Sequence, residues 1–181
     1  GAQLISRTFS DIKGDNSWYA VVEAGGRILN FPHHRGRLDA FAGYRYWYQR
    51  HVATGVAQVE CTSPAFCSPV GTISNVREDV IANEQTWQAL ELGFDVEYRL
   101  LRRLSVYGSG AFLPVTWFKN DDVHYLRTDL GKDPSFRMTG WGIGANVEAG
   151  ATVAILPRLA LDVGYRLWWS QAIDGTWENF P

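Results

Sequence analysis

From Ala89 to Leu100 the chain alternates without a break. Leu90, Leu92, Phe94, Val96, Tyr98 and Leu100 share one parity, and Glu91, Gly93, Asp95, Glu97 and Arg99 share the other. Leu159 to Trp169 repeats the pattern, with Leu159, Leu161, Val163, Tyr165, Leu167 and Trp169 set against Ala160, Asp162, Gly164, Arg166 and Trp168. Period-two alternation places each set on one face of a β-strand. A single strand of this kind fits any sandwich. Here it recurs in segment after segment, at lengths that cross a bilayer, with charges at mid-strand. The pattern predicts an all-β fold, an antiparallel up-and-down transmembrane β-barrel, apolar toward lipid and polar toward its lumen.

Six strands are predicted, over Trp18–Asn30, Arg37–Val52, Gln85–Leu100, Leu104–Phe118, Met138–Leu156 and Arg158–Ile173. The second sets Leu38, Ala40, Ala42, Tyr44 and Tyr46 against Asp39, Phe41, Gly43, Arg45 and Trp47. The fifth alternates Ile143, Ala145, Val147, Ala149, Ala151 and Val153 with Gly142, Gly144, Asn146, Glu148, Gly150 and Thr152. The connections alternate in length. Phe31–Gly36, Leu101–Arg103 and Pro157 form short turns, and Ala53–Glu84 and Lys119–Arg137 form long loops. Outer-membrane barrels have short periplasmic turns and long extracellular loops. The expected location is therefore a bacterial outer membrane, with the long loops extracellular.

Tyr46, Trp47, Tyr48, Trp87, Trp117, Phe118, Trp141, Trp168 and Trp169 gather at the long-loop ends, where an interfacial aromatic girdle is expected. Trp47 and Trp168 point inward by parity, whereas Tyr44, Tyr98 and Tyr165 face lipid as anchors. The inward parity also collects Glu23, Arg27, Asp39, Arg45, Glu91, Asp95, Glu97, Arg99, Glu148, Asp162 and Arg166. Their mixed signs predict salt bridges that fill the lumen rather than an ion-selective path.

Composition refines this only at the margins. The 181 residues suit a single domain spanning 1–181, and the net charge of −2 gives no electrostatic reason to expect nucleic acid. No run approaches the roughly 20 apolar residues of a membrane helix. Cys61 and Cys67 are expected to close a short loop as a disulfide, which implies an oxidising compartment; two unpaired thiols are the alternative. No signal peptide precedes Gly1, so an exported protein is expected to be a processed or truncated form. Six strands also fall short of the roughly eight of the smallest single-chain barrels. Unpaired edges in lipid cost several kcal/mol per unsatisfied group. The domain is therefore expected to be incomplete at both ends, or completed by other chains.

The densest polar cluster is Lys119-Asn120-Asp121-Asp122-Val123-His124-Tyr125, just past the fourth predicted strand. In extended chain Asp122 and His124 point to one side, roughly 6.5–7 Å apart. A carboxylate beside an imidazole orients it and raises its basicity, which suits a general base for water. Taken alone, Asp-x-His is a weak signal and reads more readily as a solvated loop tip. His33-His34 is expected to be a polar turn rather than a metal site. Gly140-Trp-Gly-Ile-Gly opens no helix and is no phosphate loop; its glycines are expected to make room within a strand. No Ser or Cys triad is visible.

Arg37-Leu-Asp-Ala-Phe-Ala-Gly-Tyr-Arg-Tyr, the stretch from Trp87 to Arg99, and Asn120-Asp-Asp-Val-His-Tyr resemble consecutive parts of the omptin family of outer-membrane proteases. The likeness runs from about Asp15 to Phe180 and is most specific in Gly-Tyr and Asp-x-His-Tyr. It implies a ten-stranded barrel rising above the membrane, and peptide hydrolysis by water activated between an Asp–His dyad and a facing aspartate pair. Asp122 would be the dyad carboxylate, His124 the base and Asn120 a substrate-binding position. Lipopolysaccharide would be an activator, with outer-membrane lipid and a peptide as partners; no metal or other cofactor is implied.

Two departures stand out. The family's Asp-x-Asp-Trp motif is absent from this sequence, Asp11 and Asp15 have the wrong spacing, and registration places the motif before Gly1. Asn120 stands where the family has an acid that selects basic residues. The alternative function is a non-catalytic structural or surface-binding barrel that keeps only part of the site. A lipid A-modifying barrel enzyme lacks its Ser/His constellation here.

Overall fold

A computed structural model describes residues 5–181, the side chain of residue 15 excepted. Six long strands follow one another: β1 (Ser6–Asn30), β2 (Gly36–Cys61), β3 (Ile73–Leu101), β4 (Leu104–His124), β5 (Phe136–Leu156) and β6 (Leu159–Asn179). Each pairs antiparallel with its sequence neighbour, in the order β1-β2-β3-β4-β5-β6. The ladder is an open sheet: β1 and β6 are its edges and do not pair with each other. It is curled nonetheless, because Tyr19 of β1 meets Trp168 of β6 edge-on at 5.9 Å. A concave cavity of about 670 Å³ is lined from all six strands.

The alternation read from the sequence separates the two faces. Glu23, Asp39, Arg45, Asp95, Glu97, Glu148 and Arg166 line the concave cavity. Leu92, Phe94, Leu161, Val163 and Tyr165 of the opposite parity stay exposed on the convex face. Most of the expected concave charges pair, whereas Glu23, Asp95, Arg99 and Asp162 form no ion pair among the described residues. Arg27 donates to Asp39 at 2.7 Å, Arg37 lies between Asp39 and Glu97, and Arg166 pairs with Glu148. Arg45 reaches Glu91 at 2.9 Å, and the Glu91 side chain is fully buried.

Three expectations change. The strands run 21–29 residues, far beyond the roughly 9–11 that a bilayer needs. β1 starts at Ser6 rather than Trp18, and much of the expected loop Ala53–Glu84 is ladder, leaving only residues 62–72 between β2 and β3. Lys119 to His124 likewise belong to β4 and not to a loop. The reason is that these parts of the strands carry polar residues on both faces, and a period-two signal arises only where the two faces differ in polarity.

Trp87 and Phe118 do not join the outer girdle. They stack on each other at 5.1 Å, and Trp87 lines the concave side beside Trp47 and Trp168. Outer aromatic packing does form where Trp18 stacks on Tyr46 at 4.8 Å.

Glycine makes space where a ring must lie flat on the sheet. The Tyr107 ring crosses β5 above Gly150, where an added Cβ would sit 2.5 Å from the ring, and its hydroxyl reaches Asp162 at 2.8 Å. Gly140 gives the same room to Phe118, at 2.6 Å from an added Cβ. Cys61 and Cys67 form the disulfide, with Cα atoms 5.8 Å apart.

Candidate functional site

A bulge in β4 decides which residues reach the site. Leu113 pairs with Gly144, but the next pairing of β4 with β5 is Thr116 with Gly142. Pro114 sits in the gap. Proline donates nothing to a ladder and is confined to edges and bulges, and the inserted residue re-aims the side chains that follow. Below the bulge Tyr107, Ser109 and Leu113 line the concave side; above it Thr116 does, fully buried, and Phe118 stacks over Trp87. Asn120, Asp122 and His124 continue the same parity, two residues apart along the strand. Without the bulge, Asp121 and Val123 would take their place.

Asp122 pairs across the ladder with Asn83 of β3 on one side and Phe136 of β5 on the other. The Asn83 amide donates to Asp122 Oδ1 at 2.5 Å and to Asn120 Oδ1 at 2.8 Å, while Gln85 donates to Asn83 Oδ1 at 2.8 Å. An amide chain thus fixes the carboxylate. No side-chain hydrogen bond joins Asp122 to His124 among the described residues. The His124 ring meets Phe136 edge-on at 5.2 Å, and Phe136 stacks on Trp177 at 5.4 Å.

The backbone beneath is held by a fully buried serine. The Ser135 N–H donates to the Asp122 carbonyl at 2.8 Å, and the His124 N–H donates to Ser135 Oγ at 2.9 Å. Lys132 Nζ donates to the His124 carbonyl at 2.7 Å. The strand end carrying both residues is therefore bonded into the following loop.

Asp121 lies on the other face. Burial opposes its ionisation, but hydrogen bonds from Arg137 and Lys119 outweigh this and hold its carboxyl below the usual range. Arg137 Nε sits 2.6 Å from Asp121 Oδ1, and Lys119 Nζ 2.6 Å from Oδ2. Asp11 lies on β1 opposite Thr54; the Asp15 side chain falls outside the described residues.

Asn83, Gln85, Phe136 and Ser135 were not found by sequence reasoning. Asn83 was hidden inside a predicted loop, although Asn83, Gln85 and Trp87 continue the inward parity of Ala89 and Glu91. That signal was available. Ser135 carried none, because its role depends on a loop folding back onto β4.

A long-stranded, curled sheet, apolar outside and charged within, defines the class: an all-antiparallel, up-and-down β-structure. No protein-family model matches the chain, and no curated protein matches it. Among solved structures it is similar to the outer membrane protease OmpT from Escherichia coli, with a TM-score of 0.53 and 16% identity. That match covers 91% of this chain and 64% of the other, so the chain spans less than two thirds of that protein's length. At this identity the likeness is one of fold.

Proposed function

We propose that the chain forms the greater part of a transmembrane outer-membrane barrel, ten-stranded when complete, that hydrolyses peptides in the manner of omptins. His124 acts as general base on water, Asp122 orients and supports it, and Asn120 contacts the substrate. The observation that carries this reading is the β4 bulge, which turns Asn120, Asp122 and His124 together onto the concave face, with the Asp122 carboxylate anchored by the Asn83 amide. An imidazole with a fixed carboxylate two residues away on the same face of the strand is the pairing that water activation requires. Outer-membrane lipid surrounds the convex face, and lipopolysaccharide is the expected activator.

The test is cleavage of a randomised peptide library by the full-length protein in lipopolysaccharide-containing micelles. His124→Ala should lower kcat/KM by about 10²–10⁴, the contribution of a positioned acid–base group, and leave the strand content unchanged. Undiminished turnover by that variant sinks the assignment. A second reading, a non-catalytic surface-binding barrel, is favoured by one contact: Asp122 accepts its hydrogen bond from Asn83 rather than from His124. That reading expects no turnover by the wild-type protein with any peptide.

A further inference from the structure

At the short-turn end, arginine exceeds its partners. A cavity of about 240 Å³ opens there, lined by Arg27, His34, Arg35, Arg37 and Arg99, with Glu97 as the acid in its wall. Arg27 is oriented by Asp39 at 2.7 Å and by Asn30 at 3.0 Å. Arg37 is shared between Asp39 at 3.4 Å and Glu97 at 3.2 Å. Arg35 and Arg99 add two guanidinium groups that have no ion pair among the described residues. Their backbones are joined, the Arg99 N–H donating to the Arg35 carbonyl at 2.6 Å. The turn itself is fastened down: Phe31 N–H bonds the Gly36 carbonyl at 3.0 Å, and the Phe31 ring packs edge-on against Tyr98 at 5.8 Å.

The surroundings deepen the imbalance. Arg102, Arg103 and Arg158 occupy the neighbouring turns, which contain no acid. At the opposite end, Asp121, Asp122, Asp129 and Asp133 are balanced by Lys119, Arg127, Lys132 and Arg137. An unbalanced run of cations is thus a feature of the short turns, although the net charge of the chain is −2. The convex apolar band also reaches these turns, with Ile28, Leu100, Leu101, Leu156 and Leu159 all exposed within a few residues of them. A ligand here must satisfy several guanidinium forks at once. Tetrahedral phosphate oxygens match that geometry bidentately, and the two ion-paired arginines are already oriented.

We propose that this cavity binds a phosphate group, carried by an anionic phospholipid headgroup or free in solution. The headgroup source rests on the outer-membrane reading, because only then does the cavity lie at the headgroup plane; the phosphate chemistry does not. It rests on β1, β2 and β3 alone and needs no closed barrel and no protease activity.

The test uses the full chain in zwitterionic micelles, titrated with phosphatidylglycerol, phosphatidylcholine or inorganic phosphate, with bound species read by native mass spectrometry and calorimetry. Phosphatidylglycerol should bind roughly tenfold or more tightly than phosphatidylcholine, given the attraction of each arginine for an anionic surface. The paired substitutions Arg35→Ala and Arg99→Ala should remove that preference, while Arg102→Ala with Arg103→Ala should keep it. Should the alanine pair fail to fold, Arg35→Lys with Arg99→Lys keeps the charge but loses the fork, and binding should fall severalfold. Binding of phosphatidylglycerol alone identifies the lipid headgroup, and binding of inorganic phosphate alone identifies a free ligand. Three results overturn the proposal: no binding of either, binding untouched by the Arg35 and Arg99 substitutions, or equal loss from the Arg102 and Arg103 pair. A chain that binds phosphate but cleaves no peptide would break the protease reading and leave this one standing.

Discussion

The lower and upper halves of this sheet are built from the same ladder but written in different sequence. In the lower half, Leu90 to Leu100 of β3 and Leu159 to Leu167 of β6 set a run of large apolar residues on the convex face and every charge on the concave one. In the upper half, Asn83, Glu84, Gln85 and Thr86 of β3 pair with Lys119 to Asp122 of β4, and both faces are polar. The hydrogen-bonding is continuous; the alternation is not. Period two reports the difference between the media on the two faces of a strand, and it vanishes where both faces meet water.

The halves also differ in how they hold charge, and the largest expected effect tests that. Arg45 and Glu91 pair deep in the lower half, with side-chain exposures of 15% and 0%, and Asn146 adds a weaker contact to Glu91 at 3.4 Å. Arg45→Ala should cost about 3–5 kcal/mol, because it strands a buried carboxylate without its partner. Replacing both residues, Arg45→Met with Glu91→Leu, should recover most of that loss. Urea unfolding in micelles measures both. A cost below about 1 kcal/mol for Arg45→Ala would mean that the concave side is as wet as the upper half, and the contrast between the halves would collapse.

A smaller effect tests the medium on the convex face. Phe94→Arg puts a charge in the middle of the apolar band and should cost roughly 2–4 kcal/mol if lipid lies there. Thr86→Arg, on the same face of the same strand but higher, should stay within about 0.5 kcal/mol. Equal small costs at both positions would place water on both, and the membrane reading would fail.

The same contrast explains how far the sequence could be read. Strand order, the short turns, the inward Trp47 and Trp168 and most of the pairing of the concave charges all come from the lower half, where the two faces differ in polarity. The upper ends of β2, β3 and β4 were mistaken for loops because nothing there alternates. The spacing of Asp122 and His124 puts both on one side of a strand, but does not say which face that is. That direction depends on the register slip at Pro114, which moves the concave parity from odd to even positions. A proline inside a strand pattern is the one mark of it in the sequence. Asn83 could have been found by extending the parity of Trp87 and Ala89 backward. The loop contact through Ser135 had no local signature.

The smallest effect lies in the upper half, at Asp121. Its carboxyl is held between Arg137 and Lys119 at 2.6 Å each, on a part of the sheet where side chains remain partly open to solvent. A partly screened pair is worth less than about 1 kcal/mol, so Asp121→Asn should barely move the midpoint at neutral pH. Its pH dependence is more telling. The folded-state pKa is lowered, after burial is outweighed by the two cationic hydrogen bonds. The contribution is therefore complete above the ordinary carboxylate range, near 3.8. It is lost as pH falls below that value through the depressed one. Amide exchange at the upper end of β4 should accelerate in that acid window in the wild-type protein, while Asp121→Asn should show a flatter profile across it. Identical profiles would mean that the ion pair does not hold this end of the strand. The support of Asp122 and His124 would then rest on the amides of Asn83 and Gln85 and on Ser135 beneath them.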